Sequence, residues 1–156
     1  MKKRFAIISL CLLTLASSYA AAQQSLVDDP VAFEQKHFQA QCKEASFSGA
    51  FASRIDINND GLTDVVINEG ELTCEGEKGP QCNDDGCPYN FYVQVAEGGY
   101  LLIATAQMFG YEMEKRYGNM VLDMKMNPRF CDRSGGDPCV IISRVRGVKF
   151  FTISKK

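Results

Sequence analysis

From residue 51 to its end, the chain repeats one pattern: short runs that alternate apolar and polar residues, separated by turns of Gly, Asn and Asp. A period of two is that of a β-strand with one face buried, and two such runs around a tight turn make an antiparallel hairpin. Four hairpins are expected. The first joins residues 51–57 to 63–68 across Asn58-Asn59-Asp60-Gly61, and the second joins 90–96 to 100–106 across Glu97-Gly98-Gly99. The third joins residues 112–117 to 120–127 across Gly118-Asn119, and the fourth joins 140–145 to 148–153 across Arg146-Gly147. Met120, Leu122, Met124 and Met126 alternate along one strand and read as core filling rather than a metal or cofactor site.

Ahead of the hairpins, Asp28-Asp29-Pro30 supplies a cap and a proline at the first turn, which predicts a helix over residues 30–41. Val31, Phe38 and Ala40 are expected on its buried side. The fold class is therefore mainly β: antiparallel hairpins in a small sandwich or barrel-like domain, with one N-terminal helix as a cover. An internal echo also appears. Asp64 to Asn68, a cysteine loop ending at Cys87 and the run Val95 to Tyr100 find a counterpart in Asp123 to Asn127, a loop ending at Cys139 and the run Val145 to Phe150.

The first residues read as an export leader. Lys2, Lys3 and Arg4 precede an apolar run from Phe5 to Ala16 that is too short to span a bilayer, and Ala20-x-Ala22 offers the small residues of a cleavage site. Cleavage is expected after Ala22, with Ser18-x-Ala20 as a second candidate. Residues 23–156 then form a single domain with no membrane span, placed in the periplasm or secreted. The leader carries three of the 17 basic residues and none of the 19 acidic ones, so the remainder has a net charge of −5. Nucleic acid is a poor partner for such a chain.

Seven cysteines become six once Cys11 leaves with the leader: Cys42, Cys74, Cys82, Cys87, Cys131 and Cys139. An even count in a small exported domain predicts three disulfides and a disulfide-stabilised fold. Cys131 and Cys139 flank the turn-rich Asp-Arg-Ser-Gly-Gly-Asp-Pro and are expected to pair, which leaves three pairings open for the other four. Cys82 and Cys87 resemble half of a zinc knuckle, but no second half accompanies them.

One stretch carries specific chemistry. Asp56, Asn58, Asp60 and Asp64 place side-chain oxygens at positions 1, 3, 5 and 9 of a loop, Gly61 sits at position 6, and the Leu62 carbonyl falls at position 7. That is an oxygen set for a hard cation, and calcium as a structural ion is the expected cofactor. Position 12 is Ile67 and the flanks are strand-like, so the loop is not an EF-hand. At these residues the chain resembles the calcium loops of FG-GAP or VCBS-type repeats, in which Asp-x-Asn-x-Asp-Gly-x-x-Asp is followed by an apolar strand, here Val65-Val66-Ile67. The resemblance covers roughly residues 55–105 and implies calcium bound at a β-hairpin. It is a single copy, without the tandem repeats that close a propeller.

Motifs for catalysis are missing from the sequence: there is one histidine, His37, with no nucleophile near it, and no Gly-x-Ser-x-Gly, His-Glu-x-x-His or phosphate loop. The functional reading is an exported, non-enzymatic binding or structural domain with a protein or envelope partner. The acidic loop from Cys74 to Cys87 is the expected contact surface. Two narrower readings are inhibition of a secreted hydrolase such as lysozyme, since Ser48-Gly49-Ala50-Phe51 faintly resembles an inhibitor's inserted Ser-Gly loop, and a subunit of an envelope assembly.

Overall fold

A computed structural model describes residues 25–156; the expected leader and its cleavage site lie outside the described residues. The described residues form one α-helix, α1 (Pro30–Gln41), and eleven strands in three antiparallel sheets. Helix α1 starts where the sequence predicts, because the Asp29 carboxylate accepts the Val31 N–H at 3.0 Å and Pro30 needs no donor partner there. It ends as the Cys42 N–H donates to the Phe38 carbonyl. Phe38 is buried and Val31 packs beside it, but Ala40 is exposed and Glu34 takes the third inward place. At about 100° per residue, Ala40 points away from Phe38, whereas Glu34, one turn earlier, shares its face.

The first large sheet has the order β2 (Ala52–Ile55), β3 (Asp64–Asn68), β6 (Cys87–Gln94) and β7 (Tyr100–Met108). The second has β8 (Gly110–Arg116), β9 (Asn119–Met126), β10 (Cys139–Arg146) and β11 (Lys149–Lys155), again in chain order. Each is a four-stranded meander, and Cys87 and Cys139 open the third strand of each. The internal echo in the sequence thus falls on equivalent strands of the two sheets.

A small third sheet joins β1 (Ala45–Phe47), which precedes β2, to β4 (Leu72–Cys74) and β5 (Glu77–Lys78), which lie between β3 and β6; the periodicity reveals none of them. Two or three residues are too few to display a period.

The two meanders pack face to face as a sandwich. Phe91 and Val93 of β6 and Val66 of β3 meet Leu122, Met124, Ile141 and Val145 of the second sheet in one apolar cluster. The opposite face of the first sheet presents Val65, Ile67 and Tyr92 to Phe38 of α1, Phe51 and Leu72. Strand β3 is therefore buried on both sides, which explains its unbroken Val65-Val66-Ile67. Burying side chains of this size stabilises the fold by about 1.5–3 kcal/mol each, and truncating Phe38 to Ala would cost about 3–5 kcal/mol.

Turn details shift some boundaries. The third hairpin turns on Tyr117-Gly118, one residue earlier than expected, with φ of 49° and 81° at the two positions. Two successive positive φ values match the twist of the strands in a two-residue hairpin. The first hairpin has shorter strands than expected, since Ile55 pairs with Asp64 and the eight residues between them form a loop. In that loop side chains, rather than a partner strand, satisfy the main-chain N–H groups.

Candidate metal centre

The Asp56–Thr63 loop is organised by its own oxygens. Asp56 Oδ1 accepts the Asp60 N–H at 3.1 Å and Oδ2 accepts the Gly61 N–H at 2.9 Å. Asn58 Oδ1 also accepts the Asp60 N–H at 3.1 Å, and Asp60 Oδ1 accepts the Leu62 N–H at 2.8 Å. Short Asx side chains favour such turns, and Gly61, with φ of +87°, takes a conformation that a side chain would strain. Asn58, Asp56 and Asp60 are thereby brought around one turn.

Asp64 occupies a different place. It is fully buried at the start of β3; its Oδ2 accepts the Ile57 N–H and its Oδ1 the Gln94 N–H, each at 2.8 Å. Burial raises its pKa above the usual carboxylate value, the two main-chain donors partly offset this, and the charges of Asp60 and Asp56 raise it further. Asp64 thus anchors the loop to β6 from behind. The half-buried Leu62 lies at the loop's end, and Thr63 donates its N–H to Gln94 Oε1 at 3.2 Å. Gln94 is a member of the site that the sequence does not reveal, because it enters from another strand.

The donor set fits a hard cation in its chemistry. It is all oxygen, it is rich in carboxylate, and each carboxylate oxygen that accepts one N–H keeps a second lone pair. Among the described residues, Asp56, Asp60 and Asp64 form no ion pair with Lys or Arg. In its present arrangement the loop does not gather three acidic, histidine or cysteine side chains into one shell among the described residues. Asn58 Nδ2 donates to Asp60 Oδ2 at 2.9 Å and to the Gly147 carbonyl at 3.3 Å, so the loop also touches the β10–β11 turn of the second sheet.

No family model, curated protein or solved structure matches the chain.

Three disulfides cross-link the described residues. Cys42 at the exit of α1 bonds Cys74 of β4, Cys82 bonds Cys87, and Cys131 bonds Cys139. Such bonds belong to a chain that folds in an oxidising, extracellular-type environment. Cys82 and Cys87 are spent on each other, so neither offers a thiolate to zinc. The Cys74–Cys87 loop exposes Glu75, Glu77 and Asp84, while Asp85 is buried and paired with Arg129. His37 is exposed on α1 with Gln41 Nε2 as its partner at 2.8 Å. No described helix is long and apolar enough to cross a membrane.

A second polar group escapes sequence reading. Glu34 Oε1 accepts the Tyr92 hydroxyl at 2.5 Å and Asn90 Nδ2 at 3.1 Å, and Asn90 Nδ2 also reaches Glu69 Oε1 at 2.8 Å. Burial raises the Glu69 pKa, with Asn90 opposing the shift. The network fastens α1 to the first sheet.

Proposed function

We propose that the chain is an exported, non-enzymatic binding or structural domain of the periplasm or cell exterior, in which the Asp56–Asp64 loop takes up calcium as a structural ion. The observation that carries this reading is the concentration of Asp56, Asp60 and Asp64 on one loop with no cationic side chain paired to them among the described residues. Carboxylates carried on one loop repel one another, and a bound cation relieves that repulsion. The position of the loop supports the resemblance to FG-GAP or VCBS-type calcium loops, since it joins two antiparallel strands and the apolar strand β3 follows it.

The ion has a structural task here. It would hold a loop whose neighbours are β6, through Gln94, and the β10–β11 turn, through Gly147. A protein or envelope partner would meet the exposed acidic residues Glu75, Glu77 and Asp84, which the disulfides hold in place. Calorimetric titration of the oxidised protein tests the reading. One calcium ion should bind with a dissociation constant on the order of 0.1–1 mM, and magnesium more weakly. No heat of binding up to 10 mM calcium, about ten times the weaker value, would refute it.

A further inference from the structure

The two meanders do not close on each other along their whole length. Between the β7 side of the first sheet and the β10–β11 side of the second lies a cavity of about 520 Å³. Phe91, Ile103 and Ala104 line one wall, and Met124, Ile141 and Phe150 line the other. The volume falls within the range of roughly 300–1,000 Å³ found for small-molecule sites. A bulge in β7 shapes the first wall: Ala104 pairs with Phe91 and Leu102 with Tyr92, so Ile103 is the extra residue and both Ile103 and Ala104 face the cavity. Bulges of this kind re-aim side chains beside binding sites.

Two polar features mark the site as more than a packing gap. Ser143, only 1% exposed, lines the cavity and places a hydroxyl-bearing side chain among its apolar walls. At the mouth stands Lys149, exposed and in no ion pair among the described residues. It belongs to a segment, residues 139–156, that carries five basic residues and no acidic one in a chain that is otherwise acidic. An apolar slot with a cationic rim complements a molecule with an apolar tail and an anionic head.

The geometry points to a binding site for a single-chain anionic amphiphile, its hydrocarbon tail between the two sheets beside Met124 and Ile103 and its head at Lys149. This goes beyond the calcium reading and does not rest on it.

The test is a calorimetric titration of the oxidised protein with dodecanoate below its micellar range, in chelator, since calcium precipitates the soap. Dodecanoate should bind one to one, and decanoate, two methylenes shorter, should bind more than tenfold more weakly, since each methylene is worth about a fourfold change. Lys149→Glu should weaken dodecanoate at least fivefold and leave the neutral dodecyl maltoside unaffected. Ala104→Trp should remove binding of both. Because Ala104→Trp can fail to fold, the wild type with methyl-labelled methionines supplies a second readout: nuclear Overhauser contacts from the dodecanoate chain to the Met124 and Met126 methyl groups. Absence of saturable binding, contacts elsewhere on the protein, or equal binding of dodecanoate by Lys149→Glu would overturn the proposal.

Discussion

The Asp64 carboxylate holds the Ile57 N–H at 2.8 Å, so the residue that opens β3 also locks the start of the loop before it. This carboxyl, buried and with its pKa raised above 3.8, keeps its proton to higher pH in the folded chain than in the unfolded one. Its stability contribution is therefore complete below the unfolded value and falls as pH rises through the folded one. In chelator, Asp64→Asn should remove part of that fall, and Glu69, shifted the same way by burial, should retain the rest. Calcium binds only the ionised form, so it should reverse the slope in the wild type. Urea unfolding across the acid range checks this; an unchanged slope in Asp64→Asn would contradict it.

Tyr92 and Glu34 tie the helix to the first sheet through a hydrogen bond between two groups that are almost wholly buried. Tyr92→Phe leaves the carboxylate without its hydroxyl donor and should cost about 1–3 kcal/mol. Phe33→Ala, on the exposed side of the same helix, should change stability by no more than about 0.5 kcal/mol. Equal stability of the two variants would show that the pair does not fasten the helix.

The disulfides should differ in worth according to the chain they enclose. Cys42 and Cys74 are 32 residues apart, against 5 for Cys82 and Cys87. Loop entropy gives about 4 kcal/mol for the first and about 2 kcal/mol for the second. Paired alanine variants in urea unfolding should keep that order, and the reverse order would reject the entropic account.

Gly86 and Gly98 share a positive φ, of +103° and +94°, but only Gly86 is crowded: a Cβ there would lie 2.2 Å from the Met108 carbonyl oxygen. Gly98→Ala should cost about 1 kcal/mol of backbone strain. Gly86→Ala must also displace main chain and should cost at least about 3 kcal/mol, with thermal unfolding of the two as the comparison.

Much of the fold is legible because its large strands alternate cleanly and its helix is announced by Asp29 and Pro30. Strands β1, β4 and β5 escape because pairing, not periodicity, defines them. Glu34 escapes for another reason: a glutamate counts as a solvent residue until a tyrosine and an asparagine from distant strands surround it. The acidic loop was visible as a motif, yet the role of Asp64 as an anchor and the entry of Gln94 depend on how β3 lies against β6. The cavity between the sheets depends on their separation and on one bulge, and neither is written in local sequence.

Whether the loop holds calcium is decided by thermal unfolding of the oxidised protein in 10 mM calcium and in excess chelator. With a dissociation constant of about 0.1–1 mM, that concentration should add roughly 1.5–3 kcal/mol by mass action, a rise of about 5–10 °C for a domain of this size. Asp60→Ala should melt at one temperature in both solutions. A wild type that melts at the same temperature with and without calcium would contradict the account and leave Asp56–Asp64 as a turn held by its own hydrogen bonds.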